Sequence, residues 1–116
     1  MTENTRPPGK TTVAPDVLVE IARMAALKVE GVSAMAPVSG GVNRLFRRGI
    51  VDGARIIVEN DVVSADLYII LENGVNIRNT SRTVQKKVTR AITEMVGMDV
   101  AEVNIHIENI AYEEEA

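Results

Sequence analysis

The 116-residue sequence has no cysteine, no tryptophan and one histidine, His106. Without cysteine there is no disulfide framework, no thiolate nucleophile and no iron–sulfur ligand. A single histidine excludes a zinc site of the usual Cys/His kind. Phe46, Tyr68 and Tyr112 are the whole set of large aromatics, too few for the stacking surfaces that bind single-stranded nucleic acid. Long apolar runs are missing as well. Leu67-Tyr68-Ile69-Ile70-Leu71 is the longest clear one, against roughly 20 residues needed to cross a bilayer. Met1 to Lys10 is polar, carries Pro7-Pro8-Gly9 and has no apolar core of a signal peptide. These absences predict a cytoplasmic protein with no direct membrane span, no metal, no cofactor and no conventional catalytic machinery.

What is present is enough apolar material for one core: 46% of residues, on a chain of net charge −3. Residues 1–10 read as a disordered N-terminal tail. Thr11 to Val13 reads as a short edge strand. Ala14-Pro15-Asp16 starts a helix, with proline in the first turn and acids at the positive end of the dipole. Leu18, Ile21, Ala22, Ala25 and Val29 then mark one helical face, and Gly31 sits where a terminating glycine belongs. Val32 to Val38 reads as a strand that Pro37 either places at an edge or ends, and 39–49 as a loop. Ala54 to Glu59 and Val63 to Glu72 alternate apolar and polar residues around Asn60-Asp61, a hairpin pattern.

Asn73-Gly74 breaks the second strand of that hairpin. A helix follows from Ile77 to Val96, with Ile77, Ser81, Val84, Val88, Ile92, Met95 and Val96 as its buried stripe. Gly97 closes it, and Glu102 to Ile107 alternates as the last strand. The predicted order is α-β-β-β-α-β. It gives an α+β two-layer sandwich, a mostly antiparallel sheet with two helices on one face. If the strands before and after the second helix are parallel, their crossover is right-handed.

Several segments in that order carry a resemblance to a known family. They are Val13-Ala14-Pro15-Asp16-Val17 running into Glu20-Ile21-Ala22, then Val29-Glu30-Gly31-Val32. Asn73-Gly74-Val75-Asn76-Ile77 and Met95-Val96-Gly97-Met98 leading to Val103-Asn104-Ile105 complete the set. Together they make residues 11–112 resemble the alkaline-shock protein family, small cytoplasmic bacterial proteins tied to the envelope stress response. The resemblance implies a single domain over 11–112 and a non-enzymatic scaffold or regulatory role. It also implies protein partners, among them a membrane-anchoring protein that would hold the chain at the membrane. No catalytic residues come with it.

The residues themselves single out two surfaces. Arg78, Arg82, Lys86 and Arg90 recur every four residues, with Lys87 beside them and no acid between Val75 and Thr93. Each four-residue step turns the helix by about 40°, so the four cations share one side. A docking face for an anionic protein, membrane surface or nucleic acid is one reading; a merely solvated helix is the other. Ile57, Tyr68 and Ile70 interrupt the polar rows of the hairpin and point away from the helices. They are a second candidate surface, for a partner or a second copy.

Other features read as structure. Arg44, Arg47 and Arg48 surround Phe46 in a loop that reads as an RNA or membrane contact or as a solvated loop with Phe46 tucked onto the core, and the second is preferred. Glu113-Glu114-Glu115 makes 113–116 an acidic, solubilising end. His106 faces outward with no partner at motif spacing, so catalysis is not expected of it. Gly9-Lys10-Thr11 lacks the earlier glycine and the preceding strand of a phosphate loop. A protein-contact module is the leading reading and a nucleic-acid-binding module the alternative. The acidic net charge and scarce aromatics weigh against the second.

Overall fold

The computed structural model describes residues 12–36, 50–51 and 53–111. The tail at 1–10, the loop with Arg44, Arg47 and Arg48, and the acidic end at 113–116 lie outside the described residues.

Helix α1 spans Pro15–Leu27. Ala14 is its extended N-cap, and its carbonyl accepts from the Val17 N–H at 2.9 Å. Pro15 occupies the first turn, where its missing donor costs nothing. Thr12 and Val13 are not in a strand: Val13 packs against the core as the lead into α1 rather than pairing with the sheet. The helix ends at Leu27, capped by Lys28, three residues before the expected stop. Gly31, at φ 102°, instead turns the chain into strand β1, Val32–Met35, and its carbonyl accepts from the Glu72 N–H at 2.8 Å.

Strand β2 is the two-residue Ile50–Val51, an addition to the expected order. Strand β3, Ala54–Glu59, and strand β4, Val62–Glu72, form the predicted hairpin. Asn60 and Asp61 have φ of 52° and 65°. Two consecutive positive values are the signature of the type I′ turn, whose twist matches that of the strands. Helix α2 covers Ile77–Val96 as expected. The Asn76 side chain caps it by accepting from the Asn79 N–H, and Gly97 ends it at φ 80°. Strand β5, Asp99–Ala111, is twice the expected length.

Strand β4 is the spine of the sheet. On one edge it pairs in parallel with β5 along its whole length. On its other edge β3 covers Val62 to Leu67, and β1 covers Ile69 to Leu71. Tyr68 sits at the joint: its N–H donates to Gly53 and its carbonyl accepts from Ala36. All strand pairs but β4–β5 are antiparallel.

The inner row of β4, Val63, Ala65, Leu67, Ile69 and Leu71, is buried under both helices. From α1 come Leu18, Val19, Ala22 and Ala26; from α2 come Val84, Val88 and Ile92, with Thr80 beside them. Of the expected α2 stripe, Ser81 and Val96 are half-buried and two residues are exposed: Ile77 at 47% and Met95 at 71%. Both lie on the core-facing side but at the ends of the helix. The elements that bury Val84, Val88 and Ile92 do not cover the first and last turns.

Candidate functional site

The cations of α2 follow from its core stripe. Thr80, Val84, Val88 and Ile92 fix which side faces inward. At 100° per residue, Lys86 then points directly away from the sheet, with Arg82 and Arg90 about 40° to either side. Arg78 lies on the flank away from α1, and Lys87 on the flank toward it. All five are exposed. Arg90 pairs with Glu94 at 3.2 Å, an exposed contact worth little. Among the described residues Arg78, Arg82, Lys86 and Lys87 have no ion pair. Gln85 fixes the helix on the sheet by donating to the Val103 carbonyl at 3.0 Å.

Helix α1 presents a feature not anticipated from its sequence. Only Asp16, Glu20 and Arg23 are charged among its 13 residues, so it is apolar nearly all round. A helix of that kind is ordinarily covered on every side. Here Val17, Met24 and Leu27 are exposed. The signal was present in the sequence as a shortage of polar residues on α1, but periodicity drew attention only to the inner face. Between the helices runs an open groove of about 380 Å³. Ile21, Met24, Ala91 and Met95 form its apolar lining, and Lys28, Lys87 and Arg90 stand along it.

On the opposite face of the sheet the three expected residues are separated. Ile57, 42% exposed, pairs with Ser64. Ser64 and Ile70 are about 20 Å apart along β4. Tyr68 lies between, half-buried beneath His106: the rings stack with centroids 4.5 Å apart and planes 13° from parallel. The Asp66 carboxylate lies 3.2 Å from His106 Nε2 and also accepts from Asn104 at 3.1 Å. His106 therefore has a carboxylate partner, from a strand 40 residues away. No local spacing could have shown it; only the parallel register of β4 and β5 creates it.

Among the described residues no three His, Asp or Glu side chains stand where they could hold a metal ion. No helix among them is long and apolar enough to cross a membrane.

Residues 3–112 match the alkaline shock protein 23 family, described as having a cell envelope-related function. The Bacillus subtilis protein YqhY is 30% identical over 110 residues, 93% of this chain and 82% of YqhY. The Streptococcus pyogenes protein Spy1535 is 31% identical over 106 residues, 90% of this chain and 81% of Spy1535. Among solved structures, MamM CTD in its copper form superposes with a TM-score of 0.53 at 12% identity, over 87% of this chain and 91% of that one. The M250L variant of MamM CTD gives 0.50 at 15%, over 81% and 95%. At such identities the likeness is one of fold alone.

Proposed function

The chain belongs to the alkaline shock protein 23 family, the family that its segments resemble, and from that premise we propose that it is a non-enzymatic scaffold or regulatory protein. It works in the cytoplasm beside the envelope by docking an acidic protein partner on its helical layer. Attachment to the membrane comes through that partner, a membrane-anchoring protein.

The observation that carries this reading is the row Arg78, Arg82 and Lys86, exposed and unpaired among the described residues. Like charges four residues apart each weaken a helix by a few tenths of a kcal/mol. A solvated helix relieves them with interspersed acids; α2 has one acid, Glu94, and it sits against Arg90. On a chain of net charge −3, so concentrated a positive face suits an anionic surface. The non-enzymatic part rests on the family resemblance, which brings no catalytic residues with it.

The test is affinity capture from native extract, with and without nuclease treatment, comparing the full chain with an Arg78→Glu, Arg82→Glu, Lys86→Glu variant. A defined protein retained by the parent and lost by the variant supports the reading. Equal capture by both contradicts it. Retention that disappears on nuclease treatment would favour nucleic acid, as would a steep fall in heparin binding with salt.

A further inference from the structure

We propose that the groove between α1 and α2 receives an acidic amphipathic helix from a partner protein. The inference rests on the protein-contact reading above and names the chemistry of the partner.

Three observations meet at this groove. The first is the exposed apolar side of α1. Val17, Ile21, Met24 and Lys28 are spaced 4, 3 and 4 residues apart, the spacing of a helix face. Met24 is 50% exposed on that face. The second is Met95, which is exposed in the last turn of α2 and lines the same groove. Methionine is unbranched and polarizable, and it adapts to varied partner side chains. The third is charge. Lys28, Lys87 and Arg90 flank the apolar strip, and Glu94 is the one acid lining it.

An apolar strip between two helices, edged with cations, is the complement of a helix with an apolar stripe edged by acids. Such a helix would add a third member to the helical layer and cover the side of α1 now in solvent. A second copy of this chain fits poorly, because face-to-face packing would set Lys28, Lys87 and Arg90 against their own equivalents. A flat anionic bilayer fits less well than a helix. Neither helix carries an aromatic side chain to enter the interface.

The test uses the full chain labelled with carbon-13 at the methionine methyls. The probes are helix-stapled 18-residue peptides with Leu at i, i+3, i+4 and i+7. One peptide is flanked by Glu and one by Lys, and one Glu peptide has its Leu residues replaced by Ser. Vesicles of phosphatidylglycerol with phosphatidylcholine form a fourth arm. The expected result is saturable shifts of the Met24 and Met95 methyls with the Leu/Glu peptide only. Affinity should fall at least tenfold in Lys28→Glu, Lys87→Glu and change less than threefold in Arg78→Glu, Arg82→Glu.

Absence of shifts with every peptide would overturn the proposal, as would equal binding of the Lys peptide. Shifts produced by vesicles and not by the Leu/Glu peptide would overturn it in favour of a membrane. The two readings fail separately. If the partner is lost with Arg78→Glu, Arg82→Glu, Lys86→Glu while no peptide moves the methyls, the groove proposal falls and the docking face stands. The opposite pattern removes the docking face and leaves the groove.

Discussion

The Tyr68 ring lies on the His106 imidazole, 4.5 Å between centroids, because the parallel register of β4 and β5 sets the two residues side by side on the outer face of the sheet. Asp66, one step back along the same outward row, holds the imidazole at Nε2. The pair orders an otherwise open face. His106→Ala should lower unfolding stability by about 1 kcal/mol, and His106→Phe should restore part of it through the retained stack. A double-mutant cycle with Tyr68→Leu, read by urea unfolding, should show coupling between the two positions. Additive losses would mean that the stack contributes nothing.

Gly53 is bound by its neighbours as well as by its backbone. At φ 85°, a Cβ on Gly53 would clash with the Met35 Cβ, where the ends of β1 and β3 meet along β4. Gly53→Ala should therefore cost more than about 2 kcal/mol, above the roughly 1–2 kcal/mol of a left-handed backbone alone. Gly74→Ala, at φ 92° with nothing within 4 Å, should show only the backbone cost. Because the clash is with a Cβ, Met35→Ala should not rescue Gly53→Ala. Thermal unfolding of the three variants is sufficient to decide.

Asp61 is held at φ 65° without being glycine. Replacing it by glycine should stabilise the β3–β4 hairpin by about 0.5 kcal/mol, since Asn-Gly is the preferred pair of this turn. A loss of stability would mean that the Asp61 side chain makes a contact that outweighs the backbone gain.

The α2 stripe shows how far the sequence could be read. Its periodicity identified Val84, Val88 and Ile92, and the helix runs from Ile77 to Val96 as expected, with Gly97 as its stop. Periodicity carries no information about where the packing partners of a helix stop, so it also assigned Ile77 and Met95 to the core. Both are exposed. Val84→Ala should cost about 2 kcal/mol and Ile92→Ala about 3, while Met95→Ala should change stability by less than about 0.5 kcal/mol. Calorimetry or chemical unfolding would check the contrast.

The hairpin, the two helices and their shared face were legible because each depends on local pattern. The joint of β1 and β3 along one edge of β4 was not, nor was the Asp66–His106 contact. Both depend on pairings between segments far apart in the chain. Of the candidate surfaces, the cations of α2 were legible from spacing. The groove was not, because it needs the relative placement of α1 and α2 before Met24 and Met95 can be seen to share it.

Site-specific photo-crosslinking in living cells tests the docking face of α2 most directly. A photoreactive residue would be placed at position 82, and in a separate strain at position 57 on the outer sheet face. The expected result is a discrete protein adduct from position 82, absent at position 57 and lost when Arg78 and Lys86 are changed to Glu. No adduct from position 82, or an adduct that is nucleic acid, would contradict it.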